Sequence, residues 1–366
     1  MPLRGQCQNQ MFASVHDPES LSPAELDAYL ARGWFRMGPT IFTTNFLSFK
    51  ENLYSAVWLR VDLTEFEGGR TQAKLFKSNG MFTTRIQRAT ITDEKESLFA
   101  RYKKSVPFEA SASLNHLLFG KSASTVYNTY EVNVFDKDRL IAVGYFDLGR
   151  DAGMGISSIY DPDYKKFSLG KYLIYLKMNY CRDAGIRYFY PGYFVPGYPF
   201  FDYKLSIGKN ALQYLKFEHG QWLPIALFHE NATPLKVMQQ KLTKLKDSLM
   251  AIGILARITR YEFFDANLIP DLAGAQLFDF PLFLVYPGSL REALVQGVIF
   301  DISDQRYHLV KCRGIWKTNS AAASDAIYSA YVLKPEDTLY STDTMDDMIR
   351  MITAECHQLL PRTGTR

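Results

Sequence analysis

The stretch from residue 126 to 225 constrains this chain most, because its hydrophobic period switches between two and 3.6 in a set order. Residues 127–135 and 140–148 look like strands, and 136–139 supply a turn between them. Residues 156–160 read as a third strand. The run 168–184 then reads as a helix, with Leu169, Leu173, Leu176 and Tyr180 on one face and Gly185 as its stop. Residues 186–190 return as a strand. Three strands, a helix and a strand require a mixed sheet with the helix laid against it, which makes the chain α+β.

The flanks are also readable. Ser22, Pro23 and Glu25 predict a capped helix over about 22–32, with Leu21 and Leu26 as its hydrophobic staple and Gly33 as its end. Strand-like runs cover 40–46 and 55–63, a mixed basic stretch covers 70–88, and Asp93 with Glu96 opens a helix over 93–105. Beyond residue 225 the pattern changes. Thr233 and Pro234 start a helix to about 252, with Leu235, Met238, Leu242, Leu245 and Leu249 in one stripe. Short strands at 297–302 and 307–312 follow, joined through Ser303, Asp304 and Gln305.

Several classes of protein are disfavoured. Cys7, Cys181, Cys312 and Cys356 contain no C-x-x-C pair, and the six histidines show no metal spacing, so no metal is expected. The first ten residues, MPLRGQCQNQ, have no apolar core of a signal peptide, and no apolar run reaches the ~18 residues of a membrane span. A cytoplasmic protein without membrane attachment is expected. A net charge of +4 permits contact with nucleic-acid phosphates without requiring it.

Two stretches carry a resemblance. SSIYDPDYKKFSLGKY occupies 157–172, and YFYPGYFVPGYPFFDYK occupies 188–204. The residues Tyr160, Asp161, Pro162, Asp163, Ser168, Leu169, Gly170, Tyr190, Gly192, Tyr193, Gly197, Tyr203 and Lys204, in this order, resemble the core of the arginyl/leucyl-tRNA–protein transferases. The strand ending in Asp147 and the segment RGWFRMGPTIF at 32–42 are similar too, so the likeness covers about 20–225. It implies a GNAT-like (acyl-CoA N-acyltransferase-like) fold: an N-terminal aminoacyltransferase-like region over 1–105, a GNAT-like domain over 106–225, and an α+β extension of unknown role over 226–366. It also implies transfer of Arg or Leu from aminoacyl-tRNA to the N-terminal amine of a protein, the chemistry of the N-degron pathway. The chain departs from the family at two places. The segment 43–58 lacks the cysteine cluster usual there, so no iron–sulfur centre is expected. Pro199-Phe200-Phe201 stands where a cationic run usually precedes the Tyr-Lys pair.

An amine attacking an ester must be neutral, and the oxyanion that forms must be stabilised. Asp147, Tyr190 and Tyr193 are the catalytic candidates the resemblance offers. Tyr160, Asp161, Ser168, Gly170, Lys171, Gly192, Tyr203 and Lys204 are the substrate-binding ones. A helix starting at Ser168 would offer free N–H groups and positive dipole character. Lys165, Lys166 and Lys171 cluster there to meet acceptor-end phosphates. Each candidate also has a plain structural reading: Asp161 as a turn residue, Ser168 as a helix cap, Asp147 as a strand-end cap, the tyrosines as sheet aromatics, Lys204 as solvated. YKKFSLGKY holds a single glycine, which is incomplete for a coenzyme A loop. An acyl-CoA-dependent acyltransferase and a non-catalytic binding protein that kept the fold stay open as alternatives.

Overall fold

The computed structural model describes residues 11–50, 52–107, 110–122, 125–272, 274–291, 293–317 and 330–359; Cys7 lies outside them. Strand β1 (Ala13–His16) leads into helix α1 (Pro23–Ala31). The expected capping box is present. The Ser22 hydroxyl accepts from Glu25 N–H, and the Ser22 N–H donates to the Glu25 carboxylate at 2.7 Å. Strands β2 (Phe35–Met37) and β3 (Thr40–Thr44) join β1 in an antiparallel sheet of order β1-β3-β2. A hairpin of β4 (Phe46–Phe49) and β5 (Asn52–Ser55) follows.

Next come β6 (Val57–Asp62), α2 (Arg70–Asn79), β7 (Thr83–Arg88), α3 (Asp93–Ser105) and α4 (Leu114–Phe119). After them come β8 (Thr129–Asp136), β9 (Arg139–Leu148), β10 (Ala152–Tyr160), α5 (Leu169–Asp183), β11 (Tyr188–Phe194), β12 (Leu212–Lys216) and β13 (Gln221–Pro224). The eight strands make one sheet of order β13-β12-β6-β11-β10-β9-β8-β7. Only the β10–β11 pair is parallel, because α5 carries the chain across between them. This is a mixed sheet with flanking helices, as the α+β reading expects. β6 and β7 precede residue 105, so the segments 1–105 and 106–225 share it.

Helix α5 keeps Leu169 and Leu173 buried as expected, but Leu176 and Tyr180 are only partly buried. Its buried face instead takes Tyr172, Tyr175, Lys177, Met178 and Cys181. The reason is a second neighbour: α2 lies against α5 and sets Phe76 edge-on to Tyr172, with ring centroids 5.1 Å apart. A helix covered on two sides does not keep one narrow apolar stripe. β11 runs four residues past the expected end at 190, through Pro191 and Gly192.

The remaining chain builds a second core. Helix α6 (Pro234–Ala251) buries Leu235, Met238, Leu242, Leu245 and Leu249, the stripe read from the sequence. It packs on an antiparallel sheet of β14 (Arg257–Arg260), β15 (Leu282–Val285), β16 (Leu290–Arg291), β17 (Leu294–Asp301), β18 (Arg306–Lys317) and β19 (Tyr331–Thr342), with α7 (Met345–Leu359) last. Gln305 turns the β17–β18 hairpin with φ of 60°. No helix among the described residues is long and apolar enough to cross a membrane.

Candidate functional site

The site is made by two strands that part. β10 and β11 pair only from Ala152 to Met154 against Tyr188 to Tyr190. Past that point β10 bulges between Gly155 and Ser157, and β11 shifts register against β6 between Phe189 and Gly192. Pro191 has no N–H to give a ladder, and Gly192 takes φ of 91°, a left-handed value open to glycine. The strands therefore diverge and leave a cleft of about 1010 Å³. Gly155 to Ile159 line one side, and Pro191, Gly192 and Tyr193 the other.

A 3-10 segment, Pro199–Ser206, covers the β11 side. From it Lys204 reaches back over Gly192, where an added Cβ would sit 3.2 Å from Nζ. Lys204 Nζ donates to the Tyr193 carbonyl at 2.8 Å and lies 5.3 Å and 5.2 Å from the ring centroids of Tyr193 and Phe201. It forms no ion pair among the described residues, and desolvation pulls its ammonium down to about 7. Tyr193 packs edge-on to Trp58 at 5.1 Å, and burial raises its hydroxyl above the ordinary tyrosine value.

Lys177 forms the floor. Its Nζ donates to the carbonyls of Tyr145 at 3.2 Å and Ser157 at 2.5 Å, and meets Ser158 Oγ at 3.2 Å. Burial also pulls this amine down to about 7. Gly144 makes the room, since a Cβ there would sit 2.8 Å from Lys177 Cε. The opposite wall is the turn from Arg36 to Thr40 with Tyr102, His116 and Gly120. Burial, with Tyr160 and Tyr203 nearby, pushes the Tyr102 hydroxyl up to about 12.

The residues singled out in the sequence divide into two groups. Gly192, Tyr193, Tyr203 and Lys204 come together in the cleft. Lys171 does not line the cleft; it donates to Ser206 Oγ at 2.8 Å, at the end of the Pro199–Ser206 segment. Tyr160 stands one layer behind, 5.3 Å from Tyr102, with Gly170 against its ring. The rest need correction. Asp147 does not face the cleft: it is fully buried, accepts from Arg36 Nη1 at 2.9 Å and from Thr129 Oγ1 at 2.6 Å, and desolvation raises its carboxyl despite Arg36. Tyr190 points to the other side of the sheet and packs edge-on to Trp222 at 5.5 Å, because alternate residues of a strand face opposite ways.

Asp161 is held by Arg139 at 2.6 Å and Arg101 at 3.2 Å, away from the cleft. Burial opposes its charge, but the Asp163 N–H and these guanidinium groups hold the carboxyl below its ordinary value. Ser168 is left-handed, with φ of 53°, makes no side-chain cap, and does not line the cleft. Lys165 and Lys166 are exposed on the Pro162–Phe167 segment. Sequence reasoning missed Arg36, Tyr102, His116 and Lys177. Lys177 had a signal, a lone cation among the apolar positions of α5; the other three gain meaning only from partners far along the chain.

As chemistry, the cleft offers two amines with depressed basicity, exposed strand backbone and aromatic walls. Such a set can take up a proton near neutral pH and hold a polar group that forms and collapses during reaction. Among the described residues, Asp301, Asp304 and His308 could hold a metal by spacing, but they sit on the β17–β18 turn of the second core. Cys181 and Cys312 are buried in different cores.

Comparison with known proteins adds the following. The family described as arginine-tRNA-protein transferase, C terminus, matches residues 94–214. The aspartate/glutamate leucyltransferase of Leptospira interrogans is 30% identical over 192 residues, covering 51% of this chain and 73% of that protein. The aspartate/glutamate leucyltransferase of Paracoccus denitrificans is 27% identical over 239 residues, covering 61% and 81%. Among solved structures, the ribosomal-protein-S18-alanine N-acetyltransferase from Escherichia coli aligns with a TM-score of 0.23 at 14% identity, covering 28% of this chain and 63% of that one.

Proposed function

The chain belongs to the arginyl/leucyl-tRNA–protein transferase family, and from that membership we propose that it moves Leu or Arg from an aminoacyl-tRNA to the N-terminal amine of a protein. The observation that carries the reading at the site is Lys204, an amine held over the parted strands by the Tyr193 carbonyl and, among the described residues, without a carboxylate partner. The incoming N-terminus arrives as an ammonium. Lys204, half of it neutral near pH 7, takes a proton from it; the freed amine attacks the ester carbon, a C–N bond forms and the ester C–O bond breaks. The proton then returns from Lys204 to the ribose oxygen that leaves, and the second proton that the nitrogen sheds as the amide forms passes to solvent. Tyr193 contacts the ester, and Gly192 leaves room for the Lys204 amine over the β11 backbone.

The acceptor proposed is an N-terminus with an acidic side chain, as the names of the leucyltransferase relatives have it. Lys121 and the partly charged Lys177 and Lys204 line the cleft with Asp17 and Asp271, which is compatible with that choice. Arg36 is held by Asp147, so Asp147 acts as a positioning residue. A tRNA donor also favours the cytoplasm. Neither a metal nor an iron–sulfur centre has a part in this reading.

The test is incubation of the purified protein with labelled Leu-tRNA and Arg-tRNA and peptides beginning with Asp, Glu, Lys or Arg. Transfer to the Asp and Glu peptides is expected. Absence of transfer from either tRNA, together with tight binding of coenzyme A, would replace this reading by an acyl-CoA-dependent one.

A further inference from the structure

The two segments that depart from the family pattern in sequence pack on each other. Phe49, at the tip of the β4–β5 hairpin, stacks on Tyr198 with centroids 4.8 Å apart and planes at 15°. Tyr198 lies 6.0 Å from Phe201, and Phe201 lies 5.5 Å from Tyr193 on the cleft wall. Phe200 is set edge-on to Phe201 at 5.4 Å. A chain of rings thus runs from the hairpin tip into the cleft. It is not a buried core: Phe200 is 43% and Tyr203 46% exposed, and Phe49, Tyr198 and Phe201 are half-buried. Large rings left this open beside a cleft mark a contact surface.

We propose that these rings are a stacking platform for the unpaired 3′ bases of the donor tRNA. This rests on the transferase reading above. The ester is carried on the terminal ribose, so an ester seated beside Tyr193 leaves the terminal base one sugar away. Phe201 and Tyr203 line that same cleft, so the platform is continuous with the proposed reaction site. Every nucleobase has a π face, so aromatic rings take successive unpaired bases without demanding a sequence. Backbone charge is met at both ends. Lys50 is exposed beside Phe49, and Lys171 stands at Ser206. Exposed Asp202 is the one acidic side chain within the Pro199–Ser206 segment.

The test uses the full chain and two RNA hairpins of one acceptor-stem sequence, one with an unpaired 3′ end and one blunt, read by fluorescence anisotropy. Phe200→Leu and Tyr198→Leu keep an apolar side chain but lose the flat face; Phe200→Trp and Tyr198→Trp keep a face. The wild type should prefer the unpaired end. Each Leu variant should lose roughly tenfold in affinity for it and nothing for the blunt hairpin, and the Trp variants should retain affinity. In the transfer assay the Leu variants should raise KM for aminoacyl-tRNA with kcat unchanged. Leu variants that fold and bind the unpaired end like wild type overturn the platform and leave the transferase reading standing. A wild type that transfers nothing and binds neither hairpin removes both.

Discussion

Asp147 separates a catalytic role from a structural one. Its side chain and that of Arg36 are 0% and 1% exposed, joined at 2.9 Å. Arg36 also donates to the Gly38 carbonyl at 2.7 Å, to Thr129 Oγ1 at 2.9 Å and to the Leu118 carbonyl, and its guanidinium stacks 4.2 Å from the Tyr127 ring. Asp147→Ala leaves this cation buried without its counter-charge. The expected cost is about 3–5 kcal/mol, because the desolvation of Arg36 is no longer offset. In a melting experiment that is a shift on the order of 10 °C. The pair itself is no large source of stability: burial outweighs Arg36 and raises the carboxyl. The double variant Arg36→Met with Asp147→Leu should therefore recover most of the loss. Well below the transition, turnover per folded Asp147→Ala molecule should fall by less than the roughly 10²–10⁴-fold expected when an acid–base group is removed. A variant that melts like wild type yet loses transfer by that factor would refute the reasoning and return Asp147 to the catalytic set.

Turnover should rise as pH passes about 7, when Lys204 becomes neutral. Lys204→Arg, whose guanidinium stays charged, should abolish that limb in a pH–rate profile; an unchanged profile would exclude Lys204 as the base. Lys177→Met should lower kcat more than it raises KM, because the Ser157 carbonyl loses its tether at the bulge, and Lys177→Arg should rescue poorly against the close-fitting Gly144. The folded Lys177 amine titrates near 7 and the unfolded one near 10.5, so between these values the unfolded chain binds more protons. Wild type should gain stability relative to Lys177→Met as pH rises through that window, measured by urea unfolding at several pH values; a flat difference would deny the shift. Purified protein should be colourless, and elemental analysis finding about one iron or zinc per chain would contradict the cysteine argument.

Local order was legible in the sequence. Ser22 and Glu25 cap α1, the stripe Leu235 to Leu249 faces the second core, and the strand–strand–strand–helix–strand run assembles into the mixed sheet. These features depend on neighbours a few residues away, which the periods of helix and strand encode directly. The motif residues Gly192, Tyr193, Tyr203 and Lys204 were also found, because all sit on one short stretch at the cleft. Tertiary structure decided the rest. Arg36 and Asp147 are 111 residues apart, so nothing local reveals that each neutralises the other. Lys177 took no part in the sequence reading; its role appears only where β9 and β10 bring two carbonyls to it. Tyr190 and Tyr193 looked alike in the motif, yet the pleat and the kink at Pro191 and Gly192 send them to different faces. Phe49 and Phe201 belonged to two separate departures in the sequence and have ring centroids 6.2 Å apart in space. Charge partners, strand parting and ring stacks are set by long-range contacts, and a linear pattern records which residues are present but not which of them will meet.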